Sequence, residues 1–228
     1  MLYSGPLIAW VPGIGSEKKI DRMTTLDTIV FDLGGVLIDW NPRYLYRKLF
    51  SDEKQMEHFL EHICTSDWNE QQDAGRPLAL ATEEKIQEHP EFADLIQAFY
   101  GRWEEMLAGP IADTVDILND LHGQDSHQLL ALTNWSAETF PIAWERYAFL
   151  RLFTDILVSG RVNLKKPDPA IYQMLIERHN LTPHTTLFID DNERNVQAAE
   201  KLGLHTIHFT SPATLRQELD HRFRVFVQ

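Results

Sequence analysis

The chain has 228 residues, of which 43% are hydrophobic and 11% aromatic, enough for one large domain or a core domain with a modest insertion. Its formal net charge of −13 argues against nucleic acid or an anionic membrane surface as a partner, and an anionic substrate would require a cation at the site. The single cysteine, Cys64, excludes an internal disulfide framework and predicts a reducing, cytoplasmic location.

Residues 1–22 are predicted to form an extension with no assigned role. Their start is uncharged but is interrupted by prolines and glycines, so it has neither the positive amino-terminal region nor the continuous apolar core of a signal peptide. Met23 would be a reasonable alternative start. No apolar run approaches the roughly 18 residues of a membrane-spanning helix, so we expect no membrane partner.

The first predicted strand, residues 29–31, is short and apolar and ends at Asp32. Gly34 and Gly35 follow, and they let the backbone turn sharply, as expected just past the carboxyl end of a buried parallel strand. In open α/β sheets ligands bind beyond the carboxyl ends of the strands, so Asp32 is well placed for chemistry. The simpler alternative is an ordinary Asp that caps the turn.

A helical segment follows the first strand. Asn41 and Pro42 suit the start of a helix, with Asn able to cap and Pro tolerated in the first turn. Helical pieces are predicted at residues 56–63, around Trp68, at residues 78–86 and, as one longer helix, at residues 92–107. Because these pieces have apolar faces of their own, residues 41–108 are predicted to form an inserted helical bundle.

Beyond this insertion, short apolar strands alternate with helices. Strands are predicted at residues 129–132, 155–158, 186–189 and 206–209, and helices at residues 111–121, 136–147, 167–179, 192–202 and 212–223. This alternation specifies an α/β fold with a doubly wound parallel sheet and right-handed crossovers. Residues 23–40 and 109–228 are therefore predicted to form a Rossmann-like core domain around the insertion.

The polar residues that follow these strands form a constellation that the fold does not require. It consists of Asp32, Thr133, Asn134, Lys165, Lys166, Asp190 and Asp191. Since the carboxyl ends of parallel strands share one edge of the sheet, we expect these groups to converge. Clustered carboxylates repel one another unless a cation lies between them, and all-oxygen ligation favours Mg²⁺. A hydroxyl, an amide and a lysine beside that metal suit a phosphoryl group, with a carboxylate as nucleophile.

Four segments, in chain order, resemble the motifs of the haloacid dehalogenase superfamily. They are FDLGGVL, LLALTN, KKPDPAIY and LFIDDNERN, and the similarity extends from about Leu26 to Phe209. The resemblance implies a phosphatase-like hydrolase whose helical insertion is a cap that closes over the site. It also implies Mg²⁺ as the cofactor and a small phosphorylated metabolite, such as a sugar phosphate, as the substrate.

The resemblance also implies a set of metal ligands. Asp32 would be the nucleophile and the first ligand, and Gly34 would contact the metal through its backbone carbonyl. Asp191 would bind the metal directly. Asp190 would bind it either directly or through a water molecule.

A second set of implied residues holds the phosphoryl group. Thr133 would bind its oxygens with Asn134 beside it, and Gly35 would add a contact from the glycine turn. Lys166, directly before a proline, would bridge the nucleophile and the phosphoryl group. Lys165 is the less favoured candidate for that role.

Two positions depart from the family pattern. Family phosphatases usually carry a second Asp two residues after the nucleophile, as acid to the leaving group and base to water, and this chain has Gly34 there. Such help is worth about 10²–10⁴-fold in rate, so we expect slow turnover of poor leaving groups unless another residue supplies the proton. Asp39 is close in sequence, but no pattern places it at the site. Asn163 stands where the family often has glycine, and it tolerates positive φ.

Two other functions stay open on the sequence. A 2-haloacid dehalogenase would also use Asp32 as nucleophile, but such enzymes need no metal and usually have serines in place of Asp190 and Asp191. A metal-free site with three carboxylates would repel a carboxylate substrate. The third function is a non-catalytic module that binds a phosphorylated ligand, which the missing acid–base group favours.

Substrate specificity is expected to come from the cap. The candidates for reaching the site are Trp68, Gln71, Asp73 and Arg76, and the candidates for the pocket walls are Trp40 and Trp135. The favoured alternative for the four cap candidates is a helix-end or surface position, and the alternative for the two tryptophans is packing. The sequence makes no prediction of the oligomeric state.

Overall fold

The computed structural model describes residues 25–226, so the predicted extension over residues 1–22 lies outside the described residues. This part of the chain has the strands β1 (Thr28–Phe31), β2 (Ile38–Trp40), β3 (Leu107–Pro110), β4 (Gln128–Thr133), β5 (Asp155–Val158), β6 (Thr186–Asp190) and β7 (His205–His208). Five of them form one parallel sheet in the order β5-β4-β1-β6-β7, and β2 pairs with β3 in a separate antiparallel ribbon.

Helices connect the strands. They are α1 (Arg43–Tyr46), α2 (Glu53–His62), α3 (Ser66–Asp73), α4 (Leu78–Glu88), α5 (Ala93–Gly101), α6 (Ala112–Gln124), α7 (Phe140–Arg146), α8 (Ser159–Val162), α9 (Pro169–His179), α10 (Glu193–Lys201) and α11 (Pro212–Arg222). Short 3-10 helices lie at Pro90–Phe92, Trp103–Met106, Ala148–Leu152 and Pro183–Thr185. Among residues 25–226, no helix is both long enough and apolar enough to cross a membrane.

Both faces of the parallel sheet are buried. Phe31 packs into an apolar cluster that includes residues of α6 and α11, whereas Val30 packs into a second cluster with residues of α9 and α10. This alternation places helices on both sides of the strands, as a parallel sheet requires. The predicted doubly wound α/β fold is therefore confirmed.

The register of the sheet brings the ends of its central strands together. Phe31 at the end of β1 lies opposite Ala131 of β4 and Ile189 of β6. The backbone N–H of Asp32 donates to the carbonyl of Ile189 at 2.8 Å, so pairing with β6 extends one residue beyond β1. The residues that follow β1, β4 and β6 therefore emerge at the same edge.

The continuous helix predicted over residues 92–107 is wrong. Helix α5 ends at Gly101, and a 3-10 helix follows after one residue. Glycine is a poor helix former, so it favours an end at this point. The break lets Trp103 turn toward the core, where its ring lies 5.5 Å from that of Trp135.

The helix predicted over residues 136–147 is also shorter than expected. It begins at Phe140, and Pro141 occupies the first turn, where a missing N–H leaves no helical hydrogen bond unmade. The residues before it form a turn in which Ser136 Oγ accepts from the N–H of Glu138 at 3.2 Å. Local side-chain bonding thus competes with the first helical turn.

The ribbon of β2 and β3 was not predicted. Its strands are three and four residues long and include Gly109 and Pro110, which are uncommon in strands. The ribbon joins the two ends of the helical insertion. We propose that it marks the boundary between the cap at residues 41–108 and the core at residues 23–40 and 109–228.

The insertion has an aromatic interior of its own. The ring of Tyr46 lies 5.0 Å from that of Phe59, and the ring of Trp68 lies 5.2 Å from that of Phe99. The hydroxyl of Tyr46 donates to the carbonyl of Leu95 at 2.9 Å, which satisfies its one polar atom. Rings at these distances stabilise one another, so the helices form a packed bundle.

The end of α3 and the start of α4 dock on the core. Ser159 Oγ donates to the carbonyl of Asp73 at 2.5 Å, and Glu138 Oε1 accepts from the N–H of Leu78 at 2.8 Å. Nearby, Asn163 has a φ of 55°, which confirms that asparagine adopts the positive φ at this position. The helical insertion is therefore held against the rest of the chain by hydrogen bonds just before and after the turn between α3 and α4.

Candidate active site

Lys166 joins the carboxylates that follow β1 and β6. Its Nζ lies 2.9 Å from Asp32 Oδ1 and 2.7 Å from Asp190 Oδ2, and it donates to the carbonyl of Leu132 at 2.9 Å. These bonds engage all three donors of the ammonium group. The side chain of Lys166 is fully buried, so its charge is compensated by the two carboxylates rather than by water.

Asp190 is held through both of its oxygens. Oδ1 accepts from the N–H of Asn192 at 2.8 Å and from Asn195 Nδ2 at 3.0 Å, while Oδ2 accepts from Asn195 Nδ2 at 3.1 Å as well as from Lys166. Asn195 was not among the residues predicted to form the site. Its position in the first turn of the helix after the acidic pair is the signal that could have found it. These bonds make Asp190 a fixed partner for Lys166.

Asp191 brings a third carboxylate to the same place. One oxygen each of Asp32, Asp190 and Asp191 lies within 4.8 Å of the other two. The side chain of Asp191 fills the space beside Gly35, where an added Cβ would lie 2.2 Å from Asp191 Oδ2. Three carboxylates face one buried lysine, so its single positive charge cannot compensate all three when they are ionised. The cluster is therefore a candidate cation site.

Burial and mutual charge shift the pKa values of the cluster. Burial raises the pKa of Asp32 to about 8, Lys166 opposes that rise, and Asp190 adds to it. Burial also raises the pKa of Asp191, with a further contribution from Asp190. Burial works against the charged form of Lys166, but Asp190 and Asp32 hold its pKa above the usual range. A cation at the cluster would favour the ionised carboxylates.

Thr133 presents an unpaired hydroxyl at the end of β4. Its Oγ1 is buried and has no hydrogen-bond partner in the described part of the chain. Buried hydroxyls are nearly always paired, so this one is suited to donate to a ligand. Asn134 is different, because its Oδ1 accepts from the N–H of Lys166 at 2.8 Å and its Nδ2 donates to the carbonyl of Lys166 at 2.9 Å. Asn134 thus positions the lysine backbone, and its contact with phosphoryl oxygens stays a prediction.

Two neighbouring candidates lie elsewhere. Lys165 forms an ion pair with Glu70 of α3, so Lys166 is the lysine that contacts the carboxylate cluster. Asp39 accepts a hydrogen bond from the hydroxyl of Tyr44 at 2.8 Å and is not part of the carboxylate cluster. The structure therefore shows that neither Lys165 nor Asp39 belongs to the cluster, although both lie close in sequence to residues that do.

A cavity of about 100 Å³ lies between the glycine turn of the core and the insertion. Gly34 and Asn134 line it from the core. Four aromatic residues also line it, namely Trp40, Tyr100, Trp103 and Trp135. Of the four cap residues predicted to reach the site, Asp73 is the one that lines this cavity, whereas Trp68 packs inside the cap.

The fold and the cluster define a class of protein. A doubly wound parallel sheet ends in Asp32, Lys166 and an acidic pair, with a helical insertion facing them. A family model for haloacid dehalogenase-like hydrolases matches residues 29–209. The chain belongs to this family, as its four motifs predicted, and it is a hydrolase.

Three similar proteins cover nearly the whole domain. The chain is 27% identical over 198 residues to a sesquiterpene phosphatase of Aspergillus oryzae, which is 86% of this chain and 96% of that protein. It is 25% identical over 191 residues to a phosphorylated carbohydrates phosphatase of Thermotoga maritima, which is 80% and 84% of the two chains. A solved HAD family enzyme of Bacteroides thetaiotaomicron, in complex with magnesium and inorganic phosphate, matches with a TM-score of 0.61 and 20% identity over 81% of this chain and 94% of that one. That last similarity concerns the fold.

Proposed function

We propose that this protein is a Mg²⁺-dependent phosphomonoester hydrolase that acts on a small phosphorylated metabolite through an aspartyl-phosphate on Asp32. The observation that carries the proposal is the cluster of three carboxylates around one buried lysine, whose single positive charge cannot balance all three when they are ionised. Similarity to two phosphatases supports the reaction class. Because one of them acts on phosphorylated carbohydrates, a sugar phosphate is the first substrate to examine.

The donor set fits Mg²⁺. It offers carboxylate oxygens and, in our proposal, the backbone carbonyl of Gly34, without His or Cys. Asp32 and Asp191 are the direct ligands that we propose, because both oxygens of Asp190 already accept hydrogen bonds from the protein. When bound, Mg²⁺ would offset the negative charge of the phosphoryl group.

Asp32 is oriented as a nucleophile by bonds to one of its oxygens. Oδ1 accepts from the N–H of Leu33 at 2.7 Å and lies 2.9 Å from Lys166 Nζ, which fixes the plane of the carboxylate. In the proposed reaction Asp32 attacks phosphorus while the bond to the leaving oxygen breaks. Water then hydrolyses the aspartyl-phosphate and releases inorganic phosphate.

The remaining residues hold the phosphoryl oxygens. The unpaired hydroxyl of Thr133 would donate to them, the positive charge of Lys166 would offset their negative charge, and the backbone turn at Gly35 would approach them closely. Asn134 would act through the backbone of Lys166, because its side chain bonds to both the N–H and the carbonyl of that residue. Each group is fixed before substrate arrives, as electrostatic stabilisation of a transition state requires.

The dehalogenase alternative fits this site less well. A 2-haloacid carries a carboxylate, and Asp190 and Asp191 would repel it beside Asp32 unless a cation were present. A phosphate monoester is also an anion, but the cation that Asp32 and Asp191 would hold would offset the larger charge of its phosphoryl group. The acidic pair therefore favours phosphoryl transfer.

Hydrolysis of p-nitrophenyl phosphate tests the proposal, because its activated leaving group needs little protonation. We expect Mg²⁺-dependent release of nitrophenol that a chelator stops and that Asp32→Asn abolishes. Asp39→Asn is the matched control, since this carboxylate lies on the same segment but bonds to Tyr44. Chelator-resistant halide release from 2-chloropropionate would instead indicate a dehalogenase. Failure of both assays with intact Mg²⁺ binding would indicate a binding module.

A further inference from the structure

The proposed phosphatase has no proton donor at Gly34, and the structure brings a different carboxyl group to the same cavity. Asp73, the last residue of α3, lines the cavity together with Gly34 and Asn134. Among the described residues that line it, Asp73 and Tyr100 have titratable side chains. Burial raises the pKa of Tyr100, so the tyrosine is the weaker acid of the two.

A chain of hydrogen bonds orients the carboxyl group of Asp73. Gln72 Nε2 donates to the hydroxyl of Tyr100 at 3.0 Å, and that hydroxyl donates to Asn69 Oδ1 at 3.0 Å. Asn69 Nδ2 then donates to Asp73 Oδ2 at 2.9 Å. Because Oδ2 is an acceptor in this chain, the proton of the neutral acid lies on Oδ1.

The same residue is anchored to the core loop that follows β4. The carbonyl of Asp73 accepts from Ser159 Oγ at 2.5 Å, and the backbone N–H of Ser136 faces its carboxyl group. Ser136 lies three residues after Thr133, the residue proposed to hold the phosphoryl oxygens. Asp73 therefore belongs to the cap in sequence but is fixed relative to the phosphate-binding side of the core.

The surroundings of Asp73 allow it to hold a proton near neutral pH. Burial raises the pKa of this carboxyl to about 7, and the N–H of Ser136 opposes the rise. Glu70 on the same helix adds to it, whereas Lys165 on the core opposes it. A general acid works best when its pKa lies near the operating pH.

We propose that Asp73 is the proton donor and acceptor of this enzyme, supplied by the cap in place of the side chain that is absent at Gly34. The proposal rests on the proposed phosphatase function. As the bond from phosphorus to the ester oxygen breaks, the proton of Asp73 moves to that oxygen, so a neutral alcohol leaves and Asp73 becomes a carboxylate. The carboxylate then takes a proton from the water that attacks the aspartyl-phosphate, which releases Asp32 and inorganic phosphate and restores the neutral acid.

Two aryl phosphates of similar size test the role, because they differ in leaving group. Phenyl phosphate requires protonation of its leaving oxygen far more than p-nitrophenyl phosphate does. We expect Asp73→Asn to lower kcat/KM for phenyl phosphate by about 10²–10⁴-fold and to lower it much less for p-nitrophenyl phosphate. The natural chain should also lose kcat/KM for phenyl phosphate as the pH rises above about 7, and the variant should lack this limb.

Asp67→Asn is the control variant, because Asp67 lies exposed on α3 and outside the cavity. Its ratio of kcat/KM for the two substrates should equal that of the natural chain. A loss in Asp73→Asn that is equal for both substrates would overturn the proposal, since it would indicate a purely structural role. If the natural chain showed no hydrolysis of p-nitrophenyl phosphate that depends on Asp32, that result would instead contradict the proposed function itself.

Rescue from the core gives an independent test. A Cβ at Gly34 would meet no atom within 4 Å, so Gly34→Asp can be accommodated. In the Asp73→Asn background this substitution should restore much of the lost activity on phenyl phosphate. If Asp73→Asn does not fold, Gly34→Asp alone decides the question. It should change kcat/KM for phenyl phosphate by less than tenfold when Asp73 already supplies the proton, and a gain of about 10²-fold or more would overturn the proposal.

Discussion

The charged cluster of the core and the cavity beside Gly34 are built in opposite ways. The cluster, called the floor below, consists of Asp32, Lys166, Asp190 and Asp191, and none of these four residues lines the cavity. The wall consists of Asp73 and the aromatic side chains of Trp40, Tyr100, Trp103 and Trp135. In our proposal the floor binds a cation and a phosphoryl group, and the wall contacts the rest of the substrate.

This difference predicts how the chain responds to substitutions in the two regions. The floor uses mutual charge compensation, so a change at one member leaves another charge buried and unpaired. The wall is mostly apolar and carries one carboxyl group, so its other members can change with little electrostatic effect. We therefore expect floor substitutions to abolish the reaction and wall substitutions to change its rate and specificity.

The largest expected effect is on the floor. Lys166→Met removes the partner of two buried carboxylates, and breaking such a pair typically lowers the free energy of unfolding by about 3–5 kcal/mol. Denaturant unfolding measured without metal checks this value, and activity should fall by at least about 10²-fold. Lys165→Met is the control, because its ion pair with Glu70 is partly exposed and worth about 0.2–1 kcal/mol. Similar losses in both variants would contradict the distinction between the two lysines.

A second prediction concerns the cation site. Gly35→Ala places a Cβ 2.2 Å from Asp191 Oδ2 at a φ of 72°, so the carboxylate has to move. We expect Mg²⁺ affinity, measured by calorimetry, to fall by about 10–100-fold. Gly123→Ala in α6 is the matched control, because a Cβ there meets no atom within 4 Å. Unchanged affinity in Gly35→Ala would exclude Asp191 as a ligand.

The smallest expected effect is on the wall and depends on pH. In the folded chain Asp73 keeps its proton up to about pH 7, whereas in the unfolded chain it ionises near its ordinary value of 3.8. The folded state therefore binds more protons in this range, and Asp73 makes the natural chain progressively less stable as the pH rises from about 4 to 7. Asp73→Asn lacks this penalty. The free energy of unfolding of the variant, relative to that of the natural chain, should rise by about 1–2 kcal/mol between about pH 4 and pH 7. Denaturant unfolding at several pH values measures this change.

A constant stability difference across that range would mean that Asp73 is ionised throughout. Such a result would also remove the basis for its action as an acid at neutral pH. The same subtraction with Asp67→Asn controls for the loss of a carboxylate from α3. The rise of about 1–2 kcal/mol expected for Asp73→Asn should be absent when the free energy of unfolding of Asp67→Asn is compared with that of the natural chain over the same pH range.

Most of the fold and the floor followed from the sequence. Apolar strands that alternate with helices predicted the doubly wound sheet, and the polar residues after β1, β4 and β6 predicted which side chains would meet. The prediction succeeded because parallel pairing aligns strand ends regardless of their separation in the chain. It failed at Gly101 and in the ribbon of β2 and β3, where a local break and pairing between distant short segments outweigh the periodic pattern.

The wall could not be deduced in this way. Asp73 was one of four cap residues whose side chains were candidates for reaching the site. Hydrophobic periodicity does not indicate which end of a helix faces a neighbouring domain. Asn195 escaped notice for a related reason, since its value lies in a hydrogen bond to Asp190 rather than in its own chemistry. Gly34 indicated that a group was missing, but not what could replace it.

The sequence by itself determined the class of fold, the family and the charged floor, because these depend on residue types at fixed places along strands and their ends. Only the tertiary structure decided that Lys166 rather than Lys165 contacts the carboxylates, that Asp190 is saturated by hydrogen bonds, and that Asp73 lines the cavity beside Gly34. These features depend on how separate elements dock, and docking is set by packing and hydrogen bonds between residues far apart in the chain.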